Sequence, residues 1–422
     1  MSHHQNQLTP CFIVVGYNNT RIYDVCKLRR LCQQHHRAEL ILVNDVVSEH
    51  DDSASLHTII TSLSEQAVSV SLASVQNVIE RLVLKPVGVL PFSEKGLLLG
   101  AELAQYYQLN GPTPSEAAIG LDKRLFRERD NDTPNKPLGY QPIPYRQVSS
   151  VPELKQLVDE LGGKAFIKPA QEGNSRGCIA IHNEQDSDNA WNLVQPYVED
   201  GVIVEALIED AKEYSFDSVA NVCWLTEKFT VDGDFSAEYQ QIVPAKLPAL
   251  HDARLTAAGL RIKSVTAPNY GCWHNEVFLR SDDTTCAVEP NMRPAGMRIW
   301  DLANISFKDF NPWLYWLDWA KSGKEHNLDP TVVRYSGIRM LKGQKSGRVV
   351  KLPDLMSMNI GCEKGMLHSA QFYCSEGDSV IDSPVDNSQF IGHIMLSHES
   401  YEELRGMLDH LAEDIEASVE IV

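Results

Sequence analysis

The sequence predicts an α/β protein, with a doubly wound parallel-sheet domain at the N-terminus and antiparallel strands in the later part of the chain. Residues 11–16 (CFIVVG) form a continuous apolar run that stops at a glycine, as buried parallel strands do. Helix-like segments separate this run from two similar ones. Further along, residues 213–219 and 274–279 alternate between apolar and polar side chains, which is typical of half-buried antiparallel strands.

The N-terminal domain is predicted to cover roughly the first 115 residues. Its elements, in order, are a strand over 11–16, a helix over 21–34, a strand over 38–44, a helix over 75–84, a strand over 87–90 and a helix over 96–109. This alternation indicates parallel strands joined by helical crossovers. No GxGxxG fingerprint follows the first strand, which argues against a nicotinamide-dependent dehydrogenase.

The middle of the chain is predicted to be a smaller unit of helices and strands. Its elements are a basic helix over 121–127, a proline-rich linker over 130–145, a helix over 151–161, a strand over 165–169, a glycine-flanked turn over 172–177 and a strand over 178–181. Ser150 is the expected cap of the second helix. In the turn, glycines let backbone N–H groups approach an anion, and Ser175 and Arg176 add donors.

The C-terminal half is predicted to contain most of the antiparallel strands. Strands are expected over 202–208, 213–219, 274–279 and 390–396, and helices over 255–265 and 400–415. A turn at 280–283 joins the strand that carries Glu276 to the strand that ends at Glu289. Because these strands form a hairpin, the two carboxylates are expected to lie on neighbouring strands and to share one cation.

Length and composition exclude several classes of partner. With 422 residues, 43% of them hydrophobic, the chain can form two or three domains with sizeable cores. The 38 basic and 57 acidic residues give a net charge of −19, so nucleic acid and anionic membranes are unfavourable partners. The chain shows no signal-peptide pattern, no apolar run that could cross a bilayer and no CxxC pair among its nine cysteines. These features predict reduced thiols in the cytoplasm.

The stretch 289–296 (EPNMRPAG) combines metal-binding and anion-binding side chains. Glu289 and Asn291 lie two residues apart on one side of an extended segment, and both offer the oxygen donors that magnesium prefers. Arg293 places a guanidinium on the same side, suited to an anionic group. Taken alone, the stretch fits a solvated polar edge strand equally well. Lys168 and His274 also have ordinary structural explanations, as a surface lysine at a strand end and a half-buried histidine.

The order of the motifs resembles that of the ATP-grasp ligases, and the resemblance covers most of the chain. DK at 122–123 and FIKPA at 166–170 resemble the segments that carry the two nucleotide-binding lysines, and EGNSRG at 172–177 is similar to the loop that covers the phosphates. VEALI at 204–208 resembles the hinge whose backbone contacts adenine. The resemblance implies that Glu213 binds the ribose. The other ATP-binding residues that it implies are Lys123, Lys168, Ser175, Arg176, Glu205, Ala206 and Ile208.

The same resemblance implies a metal site beside the reacting acid. Glu276, Glu289 and Asn291 match the magnesium ligands, and Arg293 matches the arginine that holds the reacting carboxyl group. The expected cofactors are ATP and two Mg²⁺ ions, with Mn²⁺ as an alternative metal.

The fold that the resemblance implies is the ATP-grasp fold in three domains. They are an N-terminal doubly wound domain over 1–117, a small lid domain over 118–204 and a catalytic antiparallel-sheet domain over 205–422. In such enzymes the acid is activated as an acyl phosphate, which water hydrolyses readily. The turn at 172–177 is therefore expected to belong to a lid that excludes solvent.

Within this superfamily, the chain most resembles the L-amino-acid ligases of the bacilysin and dapdiamide type. The segments that carry this resemblance are HNE at 274–276, EPNMRPAG at 289–296 and the stretch 390–411. These enzymes join an amino acid, or an acylated amino acid, to a second amino acid and release ADP and phosphate. The resemblance implies small-molecule amino-acid substrates, a homodimer and a role in dipeptide antibiotic synthesis. It also implies that Arg293 and His274 are catalytic and face the substrate. The other substrate-facing residues that it implies are Gly296, Met297 and Glu94.

Several features of the reaction stay open at the level of sequence. A free α-ammonium group usually pairs with a carboxylate, and 263–273 contains no acid beside His274. The acid donor is thus either N-acylated or a free amino acid whose charge Glu94 balances. The general base is either His274 or the substrate phosphate. Two other functions compete: a carboxylase or purine-pathway ATP-grasp enzyme that uses bicarbonate or formate, and a non-catalytic ATP-binding scaffold.

Overall fold

The structure is a computed structural model that describes residues 8–17, 21–49, 51–173, 176–231, 237–326, 328–355 and 365–422. Four sheets, with helices packed against them, make up the described part of the chain. In that part no helix is both long and apolar enough to cross a bilayer. The eight cysteines in the described ranges are free thiols.

A four-stranded parallel sheet lies in the N-terminal part of the chain, with strand order β3-β2-β1-β4. Its elements are β1 (Thr9–Val15), α1 (Ile22–Leu31), β2 (Glu39–Asn44), α2 (Asp51–Ala54), β3 (His57–Ile60), α3 (Val68–Arg81), β4 (Leu84–Pro91) and α4 (Glu94–Tyr107). Residues 11–15 are completely buried because separate apolar clusters cover both faces of the sheet. Only Ile59 of the four β3 residues is buried, which explains why the sequence did not predict this edge strand.

A smaller antiparallel sheet, with strand order β5-β8-β6-β7, follows two helices. The elements here are α5 (Pro114–Leu121), α6 (Lys123–Asp132), β5 (Tyr145–Val148), α7 (Val151–Glu160), β6 (Ala165–Pro169), β7 (Ile179–Ile181), α8 (Ser187–Val194) and β8 (Val202–Ala206). We refer to β5–β8 as the small sheet. Ser150 caps α7 as predicted, since its hydroxyl accepts a hydrogen bond from the backbone of Glu153.

The C-terminal part contains an eight-stranded antiparallel sheet, the large sheet, with strand order β13-β12-β9-β10-β11-β14-β18-β16. The remaining strands are β9 (Ala211–Val219), β10 (Val222–Thr230), β11 (Glu238–Val243), β12 (Cys272–Arg280), β13 (Thr285–Glu289), β14 (Tyr335–Leu341), β15 (Gly347–Lys351), β16 (Met366–Phe372), β17 (Ser379–Val380), β18 (Gly392–His398) and β19 (Glu420–Ile421). The remaining helices are α9 (Ala249–Thr266), α10 (Ile299–Ser306), α11 (Pro312–Ser322) and α12 (Tyr401–Ala417). Strands β17, β15 and β19 form a separate three-stranded sheet.

Buried aromatic rings join the N-terminal part of the chain to the C-terminal part. The Phe92 ring stacks on Trp313, with ring centroids 6.0 Å apart, and Trp313 contacts Trp300 at 4.7 Å. All three side chains are fully buried in one apolar cluster. Aromatic pairs of this kind each contribute about 0.5–1.5 kcal/mol beyond the area that they bury. This packing fixes the start of α4, and with it Glu94, relative to Arg293.

Candidate active site

A cavity of about 400 Å³ is lined by residues of α6, the small sheet, the large sheet and the segment 385–387. Twelve of the predicted site residues line it: Lys123, Lys168, Glu205, Ala206, Ile208, Glu213, His274, Glu276, Glu289, Arg293, Gly296 and Met297. A second depression, of about 520 Å³, lies beside 419–422 and is more open to solvent. It contains none of the predicted residues, so the first cavity is the candidate active site.

The other predicted residues lie beside the cavity or away from it. Glu94 forms an ion pair with Arg293, and the Asn291 amide donates to Glu289 Oε1 at 3.3 Å. Glu94 and Asn291 therefore each contact a residue that lines the cavity. The Arg176 guanidinium pairs with Glu172 at 2.7 Å, and its side chain is 57% exposed. Ser175 lies outside the described residues.

Lys123 reaches the cavity because α6 begins next to it. The Asp122 carboxylate caps this helix by accepting from the backbone N–H of Arg124 at 2.8 Å. The Lys123 ammonium donates to the backbone carbonyl of Glu172 at 2.6 Å and lies 3.2 Å from Glu289 Oε2. Burial alone would raise the pKa of Glu289, but Lys123 and Lys168 lower it to about 2. Glu289 is therefore an ionised oxygen donor, as a magnesium ligand must be.

The second lysine belongs to a buried group of three charged side chains. Glu205 accepts from Arg127 Nε at 2.5 Å through one oxygen and lies 2.7 Å from Lys168 Nζ through the other. Burial lowers the pKa of Lys168, and the cations Arg127 and Lys123 lower it further against the opposing effect of Glu205. Lys123, Arg127 and Lys168 thus place three cations at one end of the cavity. An anion such as a phosphate chain would stabilise them.

Glu205 has a role that the sequence did not predict. The hinge resemblance assigned the segment around Glu205 to adenine through its backbone, and that assignment remains a prediction. In the structure the Glu205 side chain is 3% exposed and bonds both Arg127 and Lys168. It therefore holds the predicted phosphate-binding lysine in place.

A second charged group surrounds Lys228, whose side chain is completely buried. Its ammonium lies 2.5 Å from Glu238 and 2.8 Å from Glu276, and it also pairs with Glu213. One oxygen of each of these carboxylates lies within 4.8 Å of the others, so the three could also hold a cation. Burial, together with Glu276 and Glu238, raises the pKa of Glu213 to about 8 against the opposing effect of Lys228.

Sequence reasoning missed Lys228 and Glu238. Residues 225–230 read LTEKFT, and two adjacent charges in a strand do not show which of them faces inward.

The predicted metal ligands fit magnesium by their donor chemistry. Glu276 and Glu289 are directly paired in the β12–β13 register, and Asn291 contacts Glu289. Glu276 is shared between this predicted metal site and the cluster around Lys228.

Arg293 and the residues after it form the end of the cavity that is predicted to hold the acid. The Arg293 guanidinium pairs with Glu94 and donates to the backbone carbonyl of Pro294 at 3.3 Å. Met297 and Arg298 have positive φ angles of 43° and 57°, which are unfavourable for residues other than glycine. The Gln241 amide donates to the Met297 sulfur at 3.3 Å. Met297 is thus held in a strained backbone conformation at the cavity wall.

Comparisons with known proteins find distant relatives by sequence. No protein-family model matches the chain. It is 25% identical to the formate-dependent phosphoribosylglycinamide formyltransferase of Oleidesulfovibrio alaskensis over 207 residues, which are 47% of this chain and 50% of that protein. The enzyme of the same name from Methanocaldococcus jannaschii is 24% identical over 210 residues, with 47% and 51% covered. The chain therefore spans about half the length of the curated relatives it matches.

Solved structures match over nearly the whole chain. The L-amino acid ligase from Bacillus licheniformis superposes with a TM-score of 0.79 over 99% of both chains, at 17% identity. The phosphoribosylglycinamide synthetase from Anaerococcus prevotii has a TM-score of 0.67 at 14% identity, with 98% of this chain and 99% of that chain covered. The biotin carboxylase domain of the Hydrogenobacter thermophilus 2-oxoglutarate carboxylase also has a TM-score of 0.67 at 14% identity, with 97% and 90% covered. These similarities confirm the fold that the sequence predicted.

Proposed function

We propose that this chain, which has the ATP-grasp fold, is an ATP-dependent carboxylate–amine ligase. It joins an amino acid or N-acyl amino acid to a second L-amino acid and releases ADP and phosphate. The observation that carries the proposal is that Arg293 lines the same cavity as Lys123, Lys168 and the paired carboxylates Glu276 and Glu289. A cation suited to a carboxylate therefore shares one cavity with the groups suited to nucleotide phosphates and magnesium.

The lining of the cavity supports the proposed nucleotide-binding roles. Lys123 and Lys168 would bind phosphate oxygens, the backbone around Ala206 and Ile208 would contact adenine, and Glu213 would bind the ribose. Ser175 and Arg176 would cover the phosphates. Glu205 acts here by holding Lys168.

The metal-binding roles belong to the paired strands β12 and β13 and the residues that follow. Glu276, Glu289 and Asn291 would hold one or two Mg²⁺ ions, or Mn²⁺. The metal would supply charge neutralisation for the transferred phosphate.

The acid-binding roles belong to Arg293 and its neighbours. Arg293 would hold the substrate carboxylate while it becomes an acyl phosphate, and later the oxyanion that forms when the amine attacks. Glu94, which pairs with Arg293 in this structure, is placed to bind the α-ammonium group of a free amino acid. An N-acyl donor would not need that carboxylate. Gly296 and Met297 would form the wall beside the donor side chain.

The proposal is tested by a phosphate-release screen with purified protein, MgATP and pairs of amino acids and N-acyl amino acids. We expect release that depends on both substrates, with ADP as the nucleotide product. Formation of AMP would contradict activation through an acyl phosphate. Glu289→Ala and Lys168→Ala should abolish the release, and full activity of either variant would contradict the assigned roles. Comparison of alanine with N-acyl diaminopropionate as donor distinguishes the two kinds of acid.

A second candidate is supported by the curated relatives, whose name describes a formate-dependent formyl transfer. One structural neighbour was also solved with MgADP and bicarbonate. In the same screen, phosphate release that requires formate or bicarbonate rather than an amino-acid pair would select this function. Binding of ATP without turnover for any acid would instead indicate a scaffold.

We also propose that the ligase acts as a homodimer in the cytoplasm, in dipeptide antibiotic synthesis. The resemblance to the L-amino-acid ligases supports the product class, and the biotin carboxylase domain mentioned above was described as a dimer. Light scattering coupled to gel filtration measures the oligomeric state directly. A monomer at micromolar concentration would contradict this part of the proposal.

A further inference from the structure

A buried carboxylate lies directly behind the histidine of the candidate site. Asp217 on β9 and His274 on β12 are register partners on neighbouring strands. His274 Nδ1 lies 2.8 Å from Asp217 Oδ1, which is hydrogen-bonding distance. Asp217 has no solvent exposure, and His274 has 4%. Neither the motifs in the sequence nor the resemblance pointed to Asp217.

Two hydroxyl groups hold the other oxygen of Asp217. Ser215 Oγ donates to Oδ2 at 2.7 Å, and Thr226 Oγ1 donates to the same atom at 2.8 Å. Ser215 and Thr226 are themselves register partners on β9 and β10. The carboxylate is therefore bonded through both oxygens by side chains from three adjacent strands, which prevents it from rotating.

This arrangement determines which nitrogen of His274 faces the cavity. Because the Asp217 carboxylate accepts hydrogen bonds from Ser215 and Thr226, it also acts as the acceptor toward His274, and Nδ1 carries the proton in this contact. In neutral imidazole the other nitrogen, Nε2, is then an acceptor. Nε2 lies 3.7 Å from Glu276 Oε1, which is too far for a hydrogen bond, and His274 lines the cavity. Nε2 is thus available to an N–H group of a substrate.

We propose that Asp217 is a positioning residue for amide formation, and that Ser215 and Thr226 support it. This inference rests on the proposed function. In the step concerned, the amine nitrogen attacks the acyl carbon, the C–N bond forms, and the C–O bond to phosphate breaks. Phosphate leaves with the bonding electrons, and the surplus proton on nitrogen passes to His274 Nε2. Asp217 acts by fixing the orientation of the imidazole ring, with Nδ1–H toward the carboxylate and Nε2 directed at that nitrogen.

Hydroxylamine separates this step from the activation of the acid. It is a strong nucleophile that is largely unprotonated near neutral pH, so it captures acyl phosphates as hydroxamates without a positioned base. Asp217→Asn, a change that keeps the shape of the side chain, should lower amide formation about 10–100-fold. Hydroxamate formation from the same acid, with MgATP, should stay within about 3-fold of wild type, because activation does not use His274.

Two further variants provide a weaker change at the site and a control away from it. Thr226→Val removes one hydroxyl from Asp217 and should lower the amide-to-hydroxamate ratio in the same direction by a smaller factor. Ser306→Ala removes an equally buried hydroxyl that bonds the Val243 carbonyl outside the cavity, and it should leave the ratio unchanged. KM for ATP should be the same in all three variants and wild type.

The outcomes separate the two levels of proposal. If wild-type protein forms no hydroxamate with any acid, the proposed ligase function is wrong. If wild type forms hydroxamate and Asp217→Asn loses both products equally, the role of Asp217 is only structural and the inference is overturned. A selective loss of amide, graded from Thr226→Val to Asp217→Asn, supports it.

Discussion

Glu205 lies between Arg127 and Lys168, and all three side chains are almost completely buried. If the carboxylate is removed, two cations remain unpaired in a poorly solvated place. We expect Glu205→Gln to destabilise the protein by about 3–5 kcal/mol, measured by urea unfolding, because broken buried ion pairs cost this much. Lys168→Met should destabilise the protein less, because Glu205 still forms its ion pair with Arg127. This variant should, however, show no ATP binding in calorimetry.

An exposed ion pair in the small-sheet region provides the control. Lys155 and Asp188 lie 2.8 Å apart with side chains 36% and 61% exposed. Solvent screens such pairs, so Asp188→Asn should leave the unfolding midpoint nearly unchanged. Equal losses for Glu205→Gln and Asp188→Asn would contradict the role given to Glu205.

Glu289 predicts a specific dependence of stability on pH in the metal-free, nucleotide-free protein. Its pKa is about 2 in the folded protein, below the ordinary value of 4.5, because Lys123 and Lys168 outweigh its burial. The ionised group therefore stabilises the fold above about pH 4.5. This stabilisation disappears as the pH falls toward 2.

The test compares the free energy of unfolding of wild type and Glu289→Gln between pH 6 and pH 3. The advantage of wild type should be on the order of 2 kcal/mol at pH 6 and should shrink steadily below pH 4.5. A difference that does not change with pH would show that Lys123 and Lys168 do not stabilise the carboxylate.

At the residue scale, the sequence predicted side chains that lie within recognisable motifs. Glu276 and Glu289 were expected on paired strands, and the structure pairs them in register. Lys228, Glu238 and Asp217 were missed because their importance comes from contacts across strands. A charge in a single strand does not reveal whether it faces a cavity or water, and only the pairing of β9, β10, β11 and β12 brings these residues together.

At the scale of elements, the close contact between β1 and α4 depends on glycine. A Cβ atom at Gly96 would lie 2.0 Å from the Val15 carbonyl oxygen, so α4 could not keep its position. Gly96→Ala should destabilise the protein by about 1–3 kcal/mol through overpacking. Because Glu94 lies in the first turn of α4, the affinity for the acid substrate should also fall.

Gly406 in α12 is the matched control, since an added Cβ would meet no atom within 4 Å. Alanine there should stabilise the helix by about 0.5–1 kcal/mol, because glycine is the poorer helix former. Urea unfolding should therefore show changes of opposite sign for the two Gly→Ala variants. Destabilisation of similar size in both would contradict the packing argument.

The sequence predicted long, strongly patterned elements well. Residues 11–16 and 400–415 were assigned within about two residues, which is the usual uncertainty at element ends. The edge strand β3 was missed because its exposed position leaves little apolar pattern. Helix α3 was predicted only from residue 75, although it begins at Val68. The polar Ser69 and Ser71 in its first turns weaken the helical periodicity.

At the scale of the whole molecule, the net charge of −19 opposes the binding of a polyanionic nucleotide. The sequence predicted that local cations and a metal neutralise the charge of the nucleotide. In the structure, Lys123, Arg127 and Lys168 lie together at one end of the cavity. The aromatic packing of Phe92 on Trp313, which joins the N-terminal and C-terminal parts of the chain, was not predicted. Contacts between distant segments leave no periodic pattern in either segment.

The proposed site therefore predicts that nucleotide and metal stabilise the protein together. Lys123, Lys168 and Glu289 come from α6, the small sheet and the large sheet, so a ligand that contacts all three connects separate parts of the fold. At a free concentration 100-fold above Kd, such a ligand adds about 2.7 kcal/mol to the stability of the folded state. MgATP should raise the Tm by several degrees, whereas ATP with excess EDTA should raise it much less. Lys168→Met should lose the increase, and an equal increase with EDTA or in this variant would show that the nucleotide binds elsewhere.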